Sequence, residues 1–391
     1  MLRFLSVLSL LLLGLWLFPA WLSPARADLF TVPGVQVSVA AESGAEAKKI
    51  ATRSAAETAF RRLAERLVVP EDQGAVPSLS ARQIEPAVAS MRVLNEVATD
   101  TTFDGSFTFR FDPGATRRLF GELGLRYTEV QSRPLVVVPV FRRGEAALLW
   151  GEDNPWLTAW SNFPGVNDSL VPVRVPFGDL KDVVAVDAAR ALSGDTRGLG
   201  DLADNYDAAG SLVAEAQLVG EPVQGGASLA LALAVYGDSF GELGPLSLSQ
   251  EPGESAEAFY ERAVIAAMQQ VESAWKGANA VQYGASGQLT ARALASALQD
   301  WLLIRRALEA EPLVTGVQVL SMRRGEVLVG LQHRGSAEQL QNALAQRGLS
   351  LRQGAETWDL QLGGLGGGVE ARPLPAPTGG GAASGGGASA E

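Results

Sequence analysis

Glu152 and Asp153 lie between Trp150 and Trp156, and Asp179 and Asp182 follow Phe177-Gly178. Carboxylates beside tryptophans could hydrolyse a glycosidic bond, hold a hard cation such as calcium, or flank an indole stacked on a sugar ring. The same spacing has plainer readings. Asp179 and Asp182 suit a helix N-cap and first turn, where negative charge meets unpaired N–H groups, and Glu152-Asp153 suits an acidic approach to another helix. No Asp-x-Asp-x-Asp-Gly calcium loop is present, so the plainer readings carry more weight. Glu152, Asp153 and Asp179 therefore define an alternative, a carbohydrate- or peptidoglycan-binding and possibly hydrolytic protein, and not the leading expectation.

Other chemistry is scarce. His333 is the only histidine, next to Arg334-Gly335 at the end of a strand, and reads as a turn or surface residue. There is no cysteine, which excludes disulfides, thiolate metal sites, cysteine nucleophiles and a lipidated cysteine anchor. Neither a Gly-x-Ser-x-Gly elbow nor a Gly-x-x-x-x-Gly-Lys-Ser/Thr phosphate loop occurs. No catalytic residue, cofactor or metal is expected.

Residues 1–27 read as an export leader, with Arg3, an apolar run from Phe4 to Phe18, and Ala25-Arg26-Ala27 as a small-x-small cleavage site. Cleavage after Ala27 predicts a periplasmic protein that does not span the membrane. Loss of Arg3 and Arg26 moves the net charge from -11 to -13, a poor match to the phosphates of nucleic acid or anionic lipid.

The elements that position these residues fall into three groups. From 28 to 132 the order is β-α-β-β-α-β with one extra short helix. Ser43 precedes the first long helix, Asp104-Gly105 is placed to turn a hairpin, and Phe107, Phe109 and Phe111 share a strand face. From 133 to 283 strands alternate with helices. Leu135–Phe141 is apolar throughout, as in a strand buried on both faces, and Arg143-Gly144 turns the chain. Asn154 is placed to cap a helix starting at Pro155, which sets Trp156 and Trp160 on one helix face. From 284 to 362 the first plan recurs, with a single final strand starting at Leu349. Residues 363–391, rich in Gly, Pro and Ala, predict a disordered tail. The expected fold is thus two ferredoxin-like (β-α-β-β-α-β) end domains flanking a central three-layer α/β domain.

Several stretches resemble a known family. Arg133-Pro134-Leu135-Val136-Val137-Val138-Pro139, Leu149-Trp150, Asn154-Pro155-Trp156 and Pro176-Phe177-Gly178-Asp179 resemble, in order, the secreted proteobacterial family called domain of unknown function 2066. So do Val35-x-Val37, Arg62-Leu63-x-x-Arg66-Leu67, and Asp300-Trp301-Leu302-x-x-Arg305-x-x-Leu308 followed by Gly316-Val317. The resemblance spans about residues 29–362. The central part is similar in plan to TolB amino-terminal-type envelope domains, which are interaction modules. Domain of unknown function 2066 has no assigned activity, so the resemblance to it implies no functional residue. The leading expectation is a non-enzymatic periplasmic binding or scaffold protein whose partner is another envelope protein. Its interaction face is expected at Trp150, Trp156, Trp160, Phe163 and Phe177.

Overall fold

The computed structural model describes residues 28–163, 169–222, 226–237, 240, 243–282, 286–354 and 357–363. Residues 1–27, expected to be a leader, and all but Gly363 of the expected tail at 363–391 lie outside them. Among the described residues the chain is a mixed α/β protein, with eleven α-helices, sheets of three, six and five strands, and a separate two-stranded ladder.

The first segment contains β1 (Thr31–Ala40), α1 (Gly44–Leu67), α2 (Pro70–Gln73), α3 (Ala81–Ile84), β2 (Val88–Ala98), β3 (Thr102–Phe111), α4 (Pro113–Glu122) and β4 (Arg126–Tyr127). Ser43 starts α1 by accepting from the Glu46 N–H. Ala47, Ala51, Ala55 and Ala59, four residues apart, let α1 settle closely on the antiparallel sheet β1-β3-β2. There Phe60 meets Phe111 edge to face at 6.0 Å. The Asp104-Gly105 pair does not make the hairpin turn: it lies inside β3. The chain reverses instead at Thr99–Thr101, where the Thr99 hydroxyl accepts from the N–H groups of Thr101 and Thr102. Gly105 serves packing, because a Cβ there would stand 3.1 Å from the Phe103 ring.

The second segment contains β5 (Leu135–Arg143), β6 (Ala146–Leu148), α5 (Pro155–Ser161), β7 (Val173–Arg174), α6 (Leu180–Ala185), α7 (Ala188–Leu192) and α8 (Thr196–Asn205). It continues through β8 (Gly210–Val219), β9 (Ser228–Tyr236), β10 (Leu246–Ser249) and α9 (Ala256–Asn279). The sheet runs β10-β9-β8-β5-β6, with β7 also on β5 and with β5 parallel to β8. Leu135, Val137 and Phe141 face the core under α5 and α9, while Val136, Val138 and Val140 face the core under α6, α7 and α8. This is why the run is apolar without alternation.

At the start of α9 the Arg262 guanidinium grips Glu254 through two hydrogen bonds of 2.7 Å. Those bonds pull the Glu254 carboxyl from an ordinary 4.5 down to about 2. A lowered folded-state pKa stabilises the fold above the unfolded value, and the contribution fades as pH falls from about 4.5 toward 2. Urea midpoints of the parent and Glu254→Gln, measured across that window, should converge as the pH falls. Parallel curves would rule the clamp out.

The third segment contains β11 (Val281–Gln282), β12 (Ser286–Ala295), α10 (Leu298–Glu309), β13 (Val314–Arg323), β14 (Gly325–Arg334), α11 (Ala337–Ala345), β15 (Leu349–Gln353) and β16 (Trp358–Leu362). Its sheet runs β13-β14-β12-β16-β15. Neither end segment places its last strand as the ferredoxin-like plan requires. β4 leaves the first sheet and pairs with β11, while Pro33 and the bulged Gly34 (φ +66°) mark β1 as an edge strand. In the third segment the chain makes a hairpin instead of one strand, and β16 enters parallel to β12 with β15 outside it. His333 is also corrected: it is 4% exposed, and its ring covers Gly287, where a Cβ would stand 2.5 Å from the imidazole.

One continuous hydrophobic core links the three segments. The chain from 126 to 133 is its seam. Tyr127 pairs with Val281, Val130 O accepts from Trp275 Nε1 at 2.6 Å, and the Arg133 N–H donates to Gln346 Oε1 at 2.7 Å.

Candidate functional site

Asn154 positions the first part of the region. Its Oδ1 accepts from the Trp156 and Leu157 N–H groups, both at 3.0 Å, and its Nδ2 donates to Pro139 O and Leu149 O. One buried amide therefore caps α5 and ties it to β5. The result places Trp156 and Trp160 inside, both 0% exposed, with Trp156 Nε1 donating to Ala214 O at 2.9 Å and the indoles edge to face at 5.7 Å. Phe163, half-buried, packs on Trp160 at 6.3 Å. These three of the expected anchors belong to the α5–α9 layer, where Trp156 and Trp160 offer no free face and Phe163 only part of its ring. Their i, i+4 spacing was compatible with either fate, and sheet contact chose burial.

Trp150 and Phe177 lie on the opposite layer, and the structure brings them together. Trp150 is half-buried, donates Nε1 to Val186 O at 2.8 Å, and lies beneath Gly178. Gly178 has φ +73°, and a Cβ there would rest 3.5 Å from the indole. Asp182 is 1% exposed and organises the turn. Its Oδ2 accepts from Gly178 N at 2.9 Å, Asp179 N at 3.2 Å and Tyr206 Oη at 2.8 Å. Tyr206 Oη also accepts from the Phe177 N–H at 3.2 Å. Burial, reinforced by Asp182, pushes the Tyr206 phenol up to about 12. Asp179 caps α6 by accepting from the Lys181 and Asp182 N–H groups.

A turn fixed from below by these bonds exposes its apolar residues above. Phe177 is 89% exposed, Leu180 80%, Val184 69% and Val183 47%. Leu180, Val183 and Val184, spaced three and four apart on α6, continue the exposed apolar surface that begins at Phe177. Its border is more acidic than basic: Glu152 and Asp153, just after Trp150, are exposed, as are Asp179, Asp187 and Asp207, against Lys181 and the partly exposed Arg174 and Arg190, the last of which donates to Val184 O and pairs with Asp195. Glu152 and Asp153 stand in solvent and Asp179 is occupied with capping. None of the three has the apolar, enclosed setting of a general-acid carboxyl, and the buried Trp156 and Trp160 cannot stack on a sugar.

Leu180, Val183 and Val184 were not singled out in the sequence, though Leu180-Lys-Asp-Val-Val-Ala-Val is more apolar than a six-residue helix with one buried stripe requires. A concavity of about 1030 Å³ lies between α1, α2 with the loop that follows it to Leu79, and α9. Its buried Lys276, whose pKa burial pulls down, donates to Glu65 O near the C-terminus of α1, and Gln73 caps the neighbouring carbonyls Ala64 O and Val68 O. Those polar groups hold the segments together. Among the described residues no helix is long and apolar enough to cross a membrane, and no group of three His, Cys, Asp or Glu could hold a metal ion. Compared with family models, curated proteins and solved structures, the chain matches none.

Proposed function

We propose that the protein is an exported, non-enzymatic binding or scaffold protein of the bacterial cell envelope, which docks another envelope protein through the ledge Phe177, Leu180, Val183 and Val184. The observation that carries this reading is the 89% exposure of Phe177 on a turn clamped by buried Asp182. The leader-like residues 1–27 and the resemblance to a secreted family support the location. We read the two end segments as variants of the split β-α-β plan that brace the central layers. The acidic border favours a partner with an apolar socket rimmed by Lys or Arg, and disfavours both an anionic lipid surface and a second copy of the same ledge.

A photo-reactive residue at position 177, activated in the periplasm, should yield one dominant protein adduct whose mapped site is apolar and flanked by basic residues. Against that purified partner, Phe177→Ser and Leu180→Ser should each weaken binding about 30-fold, the size of an interface hot spot. Unchanged affinity with the fold intact would refute the ledge as the docking site. Adducts made only of glycan would move the function to the carbohydrate alternative.

A further inference from the structure

The concavity of about 1030 Å³ between α1, α2 with its following loop, and α9 shares no residue with the ledge. Its lining mixes apolar side chains such as Val76 and Leu79 with charged ones of both signs. Glu57, Glu65 and Glu272 are matched by Arg61, Arg66 and Lys276, so the described lining carries no net charge. That balance suits neither a metal cation nor a phosphate-bearing ligand, and suits a ligand that carries both signs itself. Phe60, the aromatic residue of the lining, is 2% exposed and cannot stack on a sugar ring.

Two of these charges keep hydrogen-bonding capacity for a ligand. Lys276 is 6% exposed, and among the described residues Glu65 O takes one of its three N–H groups. Two buried donors are left for whatever enters the cavity, and leaving them bare is costly. Burial pulls the Lys276 pKa down, a penalty that an incoming carboxylate offsets. Glu57 is exposed and uses Oε1 for the Ala81 N–H at 3.0 Å, which leaves Oε2 open. The other charges are engaged. Arg66 holds Leu29 O and Thr31 O, Ser169 donates to Glu272 Oε1, and Arg61 lies 4.0 Å from Glu65. Glu57 precedes Glu65, where Lys276 is anchored, by about 12 Å along α1. That is the reach of about three or four residues of extended peptide. We propose that this concavity binds a short peptide by both ends, its C-terminal carboxylate on Lys276 and its terminal ammonium on Glu57.

Tetra-alanine, which offers both termini at that separation, is the probe. Calorimetric titration of the protein should show one site. Blocking either end, as the C-terminal amide or the N-acetyl peptide, should weaken binding about tenfold or more. Lys276→Met should bind the free acid and the amide alike. Glu57→Gln should bind the free amine and the acetyl form alike, and because Gln keeps an oxygen for the Ala81 N–H this variant leaves the fold intact. Absence of binding at millimolar tetra-alanine overturns the proposal. So does an affinity indifferent to either block.

Discussion

Trp156→Ala should destabilise the protein by about 3–5 kcal/mol, the range for removing a fully buried large aromatic. The indole is 0% exposed, its Nε1 reaches Ala214 O at 2.9 Å on β8, and its ring supports Trp160 at 5.7 Å. The truncation therefore opens a void beneath the six-stranded sheet and removes an interior hydrogen bond together. Urea unfolding should show a lower midpoint with an unchanged slope, since the surface exposed on unfolding is nearly the same. Phe177→Ser is the informative contrast. The phenyl ring is 89% exposed, so its loss should change stability by no more than about 0.5 kcal/mol. Equal effects from the two substitutions would mean that the ledge is packed in solution and unable to dock anything.

Arg117→Met should cost about 3–5 kcal/mol, because it strands a buried carboxylate. Arg117 Nε and Nη2 donate to the two Glu129 oxygens at 2.6 and 2.5 Å, and the side chains are 20% and 5% exposed. The same bonds hold the guanidinium more firmly protonated than usual. The pair joins α4 to the seam at 126–133, where the three segments meet, so the loss should lower one cooperative transition and not release a single segment. Arg117→Met combined with Glu129→Met should recover most of the stability, since neither charge then remains buried. A double variant no more stable than Arg117→Met alone would show that packing, and not the stranded charge, sets the cost.

The two single substitutions at Trp156 and Phe177 separate residues that looked equivalent in sequence. Local signals were sound wherever the backbone itself supplies the preference. Ser43, Asn154 and Asp179 cap the helices they precede, because their side chains satisfy N–H groups two or three residues away. Gly144 turns a hairpin at φ 59°, an angle that a side chain resists. The unbroken apolar run of β5 already required cover on both faces.

Tertiary contacts decided the rest. Asp104-Gly105 reads as a turn in isolation, yet the Phe103 ring and Val93 needed the missing Cβ at that point in β3. The closing strands went elsewhere because their pairing partners, Val281 for Tyr127 and Ala291–Ala293 for Trp358–Leu360, lie far away in sequence. The aromatic face divided for the same reason. Which of Trp150, Trp156, Trp160, Phe163 and Phe177 meets solvent depends on which layer of the central sheet each segment covers. A cap or a turn is written in a few neighbouring residues, whereas burial is set by whatever distant element arrives to cover the side chain.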